Sequence, residues 1–112
     1  MNLPLQVTFR NVPSSDRLTD HVRGKAAKLD TFFGRIMGCR VAVEAPHTRH
    51  HHGSHYRVRV DLTVPGAEIV AGHGDHRCYE NAYAAVDGAF KQAERLLKEH
   101  AERQRSGWGG NA

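Results

Sequence analysis

Lys25 and Lys28 on one amphipathic segment, and Lys91, Arg95 and Lys98 on another, are the side chains of this 112-residue chain best spaced to do chemistry together. Steps of three and four place such groups on one helix face. A row of fixed cations is suited to holding phosphates. Arg17 and His21 continue the first row, and Arg103 and Arg105 extend the second. Asp16, Asp20 and Asp30 fall towards the other flank or the back of the first helix, so the signs there are sorted. Glu94 and Glu102 lie close to the second row and dilute it. Either face alone also fits an ordinary solvated helix surface. Two such ridges on one side of a sheet would merge into one patch, and nucleic acid is the obvious anionic partner.

A second cluster, His47, His50, His51, His52 and His55, raises metal chemistry, because imidazole is a good ligand for zinc, nickel or copper. A histidine-rich metal-binding module is therefore one alternative function, and His73 and His76 in the next loop add a little to it. Adjacent loop histidines rarely converge tetrahedrally, and no helix frames them as zinc-binding HxxxH or HExxH pairs. Arg49 inside the cluster favours phosphate. The preferred expectation is a polar loop that gains charge below about pH 6.5, with no metal and no other cofactor.

Catalysis finds little footing. No Ser-His-Asp or Cys-His spacing, paired carboxylate or GxGxxG loop is present. Cys78 beside a helix N-terminus could carry a lowered pKa, but packing is the expected role. The chain is not expected to be an enzyme or to take a small-molecule substrate.

Composition sets looser bounds. The 16 Lys and Arg against 12 Asp and Glu give a modest net charge of +4, so arrangement matters more than the sum. The opening MNLPLQVTFR lacks the pattern of a signal peptide, and no stretch is apolar enough to span a membrane. Cys39 and Cys78 form no CxxC pair and are expected as buried free thiols, a disulfide requiring the fold to bring them together.

The elements that must position these groups follow from hydropathy. Leu3, Leu5, Val7 and Phe9 alternate with polar residues, which predicts a strand over Leu3 to Arg10. Asn11-Val12-Pro13 breaks it, and Ser14 or Ser15 caps a helix whose stripe is Leu18, Val22, Ala26, Leu29 and Phe33, stopped by Gly34. Cys39 to Glu44 and Tyr56 to Val64 alternate as strands, and Pro65-Gly66 turns into a hairpin partner ending near Gly72. Tyr79, Tyr83, Val86, Phe90, Ala93 and Leu97 define the stripe of a second helix running from Tyr79 to Arg105. Residues 1–105 thus form one α+β domain of order β-α-β-β-β-α: a two-layer sandwich, with both helices on one face of a four-stranded sheet. The other face, with Gln6, Thr8, Arg57 and Arg59, should meet solvent. Residues 106–112, holding three glycines and Trp108, are expected as a flexible tail.

Three segments carry a family resemblance: Asn11-Val12 followed by RLTDHVRGKAAKLDTFFGRI, the hairpin LTVPGAEIVA, and YAAVDGAFKQAERLLKEH. With the element order they cover nearly all of residues 3 to 105. The chain resembles the ribosome hibernation-promoting factors, also called ribosome-associated inhibitors or sigma-54 modulation proteins, and looks like their short form. The resemblance implies a fold similar to double-stranded-RNA-binding domains, and cytoplasmic association with the small ribosomal subunit. There such proteins contact 16S rRNA between head and body and block tRNA and mRNA sites, silencing idle ribosomes in stress or stationary phase. Lys25, Lys28 and Arg95 match the family's basic positions. Tyr83 and Asp87 match its Tyr-x-Ala-Ile-Asp signature, implying a core tyrosine and a structural aspartate. Gln92 and Glu99 depart from the pattern, standing where a basic residue is common, and the histidine-rich connection is longer than usual. A general structured-RNA-binding protein is the remaining alternative.

Overall fold

The computed structural model describes residues 3–45, 56–72 and 81–104 in full, and residues 105–111 as helical backbone. The elements are β1 (Leu5–Arg10), α1 (Asp16–Phe33), β2 (Gly38–Glu44), β3 (Arg57–Val64), β4 (Ala67–Ala71) and α2 (Ala82–Asn111). The strands lie in the order β1-β2-β3-β4, with β1 parallel to β2 and the other pairs antiparallel. A parallel neighbour needs a crossover, and α1 supplies it.

The boundaries of α1 follow from its ends. The Ser15 hydroxyl accepts the Leu18 N–H at 3.2 Å, which satisfies an otherwise orphan donor. Gly34 takes φ 63° and donates its N–H to the Asp30 carbonyl at 2.7 Å, closing the helix in the left-handed conformation.

The core follows from strand alternation. Register places Cys39 opposite Leu62, Val41 opposite Val60 and Val43 opposite Val58, all buried. Leu62 in turn faces Ile69, and Val60 faces Ala71. Leu18, Val22, Ala26 and Leu29 of α1 and Val86, Phe90, Ala93 and Leu97 of α2 join the same cluster. Each of the larger side chains contributes about 1.5–3 kcal/mol by leaving water. Phe33 and the β1 side chains Leu5, Val7 and Phe9 are only partly buried against it. Among the described residues no polar or charged side chain is buried.

Several expectations need correction. α2 begins at Ala82, not Tyr79, because Asn81 is its cap: the Asn81 Oδ1 accepts the N–H groups of Tyr83 at 2.8 Å and Ala84 at 3.4 Å. Tyr79 lies outside the described residues. Tyr83, expected in the core, is 38% exposed. The cause is a buried row of small residues, Ala85, Ala89 and Ala93, which turns the helix so that Tyr83 sits at the margin of its buried face. Beyond Arg105 the helical backbone continues to Asn111, where a loose segment was expected. No proline interrupts that segment, and glycine weakens a helix without breaking it. The histidine-rich connection, residues 46–55, lies outside the described residues, as do residues 73–80 with His73, His76 and Cys78.

Candidate nucleic-acid interface

The two helices advance side by side in the same direction. The His21 ring meets the Tyr83 ring edge-on with centroids 5.1 Å apart, Lys25 reaches Asp87, and Phe33 lines one groove with Leu97. The flank of α1 that carries Arg17, His21, Lys25 and Lys28 therefore faces the flank of α2 that carries Tyr83, Asp87 and, one turn on, Lys91.

Asp87 is the tie between them. Its Oδ1 accepts a 2.6 Å hydrogen bond from His21 Nε2 and stands 3.4 Å from Lys25 Nζ. Partial burial alone would raise this carboxyl; the hydrogen bond from His21 and the charges of Lys25 and His21 outweigh it and hold the pKa below the usual value. Lys25, at 34% side-chain exposure, is thus braced against the second helix.

The remaining cations are more open. Lys98 Nζ lies 3.5 Å from Glu94 and Arg95 Nε 3.9 Å from Glu99, both four-residue pairs on the helix surface. With side-chain exposures of 61% for Lys98 and 66% for Arg95, such pairs are worth only tenths of a kcal/mol. A phosphate can displace the carboxylates. Arg17, Lys28 and Lys91 make no salt bridge among the described residues. Lys25, Lys28, Lys91, Arg95 and Lys98 consequently share the exposed side of the helix pair, with Arg17 and His21 at its N-terminal end. Arg103 is not brought in: at about 100° per residue it stands about 160° around α2 from Asp87. The side chain of Arg105 lies outside the described residues.

The open face of the sheet is different. Arg40 bonds Glu68 at 2.8 Å and lies 3.9 Å from Asp61, while Arg59 Nε bonds Asp61 at 3.0 Å. Arg40 and Arg59 are thus answered by carboxylates within the sheet, while Arg57 on the same face makes no salt bridge among the described residues; the longer run of open cations lies on the helix face.

Two further residues belong beside this surface: Asp87, which the resemblance implied only as a structural aspartate, and Phe32, which the sequence did not single out. Asp87 acts on the patch as well as on the fold. Phe32, four residues after Lys28, is 70% exposed. The available signal was its position off the apolar stripe of α1.

Among the described residues no group of three His, Cys, Asp or Glu side chains is arranged to hold a metal, and no helix is long and apolar enough to cross a membrane. Cys39 is a buried free thiol whose pKa is pushed up to about 12 by burial and by the Asp61 charge, which leaves it unreactive at neutral pH.

Comparison with known proteins bears on this geometry. A family model described as sigma 54 modulation protein / S30EA ribosomal protein matches residues 5–105. A ribosome hibernation promoting factor of Pseudomonas putida is 28% identical over 104 residues, spanning 93% of this chain and 92% of that protein. A factor of the same name from Escherichia coli is 29% identical over 101 residues, spanning 90% and 96%. A ribosomal subunit interface protein from Coxiella burnetii has the same fold, with a TM-score of 0.73 at 17% identity over 89% of this chain and 99% of its own.

Proposed function

This chain belongs to the sigma 54 modulation protein / S30EA ribosomal protein family, and from that membership we propose that it is a ribosome hibernation factor acting on the small subunit. In this proposal it docks on 16S rRNA in the tRNA and mRNA channel and silences translation in idle or stressed cells. It works by occupancy, with no bond made or broken, in the cytoplasm and on the ribosome.

The observation that carries the reading is the cationic surface along the α1–α2 pair, set against a sheet face on which Arg40 and Arg59 are paired internally. Lys28, Lys91, Arg95 and Lys98 take the main phosphate contacts, and Lys25 joins them while held by Asp87. Arg17 and His21 serve the N-terminal end, and Arg105 lies beyond the C-terminal one. Phosphate contacts dominate such an interface, so affinity falls steeply with salt. The names borne by the relatives from Pseudomonas putida and Escherichia coli support the hibernation role.

The test is cosedimentation with purified small subunits. The double variant Lys28→Glu with Arg95→Glu should remain in the supernatant at moderate salt while keeping the circular dichroism spectrum of the parent. Undiminished cosedimentation of a folded variant overturns the patch assignment. Competition with a plain RNA duplex separates this reading from general RNA binding: a ribosome-specific factor is not displaced at equal nucleotide concentration.

A further inference from the structure

Among the described residues Phe32 is the most exposed aromatic ring. It is 70% exposed, and its packing is a tilted contact with Phe33 at 6.2 Å between centroids. Tyr83, the other exposed large aromatic among the described residues, is already held edge-on by His21. Along the chain Phe32 is flanked by cations, with Met37, 59% exposed, five residues further on. Lys28 stands one turn before it on the same flank and Arg35 follows just past the helix end, both exposed. The apolar residues at matching steps, Leu29 and Ile36, are turned into the core.

One exposed ring and one exposed methionine, with Lys28 and Arg35 on either side of the ring in the chain, make too small an apolar spot for an apolar protein partner, which needs a continuous hydrophobic centre. The ring suits a nucleotide, whose base offers a flat face and whose phosphates seek the neighbouring charges. Bases inside a duplex are covered by their neighbours, whereas an unstacked loop or bulge base has a face to offer.

We propose that Phe32 stacks on an unpaired base of the bound RNA, with Lys28 and Arg35 holding the adjoining phosphates. This rests on the ribosome-binding reading and adds that the contacted RNA is splayed at this point, so that shape and charge alone do not make the site.

The test measures affinity for purified small subunits with Phe32→Ala, Phe32→Leu and Phe32→Tyr, each checked by thermal melting, and each titrated at several salt concentrations. Alanine and leucine should each weaken binding at least about 5-fold, and tyrosine should stay within about twofold, since only it keeps a π face. The salt slope of Phe32→Ala should match the parent, because no phosphate contact is lost. Two results overturn stacking while leaving ribosome binding intact: parental affinity in Phe32→Ala, or parental affinity in Phe32→Leu, which would mark plain apolar contact. Failure of the parent itself to bind small subunits overturns both this proposal and the one it rests on.

Discussion

Asp87 on α2 accepts a 2.6 Å hydrogen bond from His21 Nε2 and lies 3.4 Å from Lys25 Nζ, so one carboxylate joins α1 to α2 in the middle of the cationic surface. The arrangement has two opposite effects. It subtracts a charge from the patch, and it fixes Lys25 in place before any ligand arrives. A pre-positioned cation loses less freedom on binding than one on a loose side chain.

Asp87→Asn separates these effects. Asparagine can still accept from His21 but carries no charge for Lys25. The carboxyl's pKa is lowered in the fold, so its stabilisation is fully present above the unfolded aspartate value of about 3.9 and is lost as pH falls through the folded value. The site is half open to solvent, and the expected cost at neutral pH is about 0.5–1 kcal/mol. Urea unfolding at pH 7 should show that gap, and unfolding near pH 3 should show it closing. A gap that persists undiminished in acid would mean the carboxylate charge is not what stabilises the pair.

The salt dependence of small-subunit binding should report which cations meet phosphate. Lys28→Ala and Lys91→Ala should each lower the slope of log affinity against log salt by about 1. Arg59→Ala should leave it unchanged, because Arg59 already bonds Asp61 at 3.0 Å on the opposite face. An equal loss from Arg59→Ala would move the interface to the sheet.

Much of this fold is written in local patterns. The alternation of Val58, Val60, Leu62 and Val64, the serine cap and the Gly34 stop depend on neighbours a few residues away, and all were legible, the cap as either Ser14 or Ser15. The spacing of Lys91, Arg95 and Lys98 is a helical period of the same local kind. What depends on how one helix meets another surface was not. Tyr83 fits the apolar spacing, but alanines are too small and too weakly hydrophobic to announce that Ala85, Ala89 and Ala93 define the buried side. Asp87 finds His21 across the helix pair, a contact that no local spacing encodes. Arg103 looks continuous with Lys98 along the sequence and leaves it only because five residues turn a helix through more than a full circle.

Gly72 and Gly34 both take positive φ, 82° and 63°, but they should not respond alike to a side chain. A Cβ on Gly34 meets nothing within 4 Å, so Gly34→Ala carries only the left-handed penalty of about 1–2 kcal/mol. A Cβ on Gly72 would collide with the Val58 carbonyl oxygen, a backbone atom in β3 that cannot swing aside. Gly72→Ala should therefore cost clearly more, about 3 kcal/mol or beyond, as backbone strain and collision add. Equal melting temperatures for the two variants would contradict the close approach of β4 to β3 at Val58.

Gln92 occupies a position where family resemblance leads one to expect a basic residue, and its contact explains the difference. Its Oε1 accepts the Gly72 N–H at 3.0 Å, satisfying a backbone donor just past the last β4 residue. That contact turns the side chain towards the sheet, away from the flank shared by Lys91 and Lys98. Gln92→Lys would restore the cation and remove the acceptor. The expected outcome is a loss of about 1 kcal/mol in thermal or urea unfolding, from the unpaired N–H. Cosedimentation with small subunits should gain nothing, because the new charge lies off the patch. Tighter binding with unchanged stability would show that this side of α2 also faces the ligand.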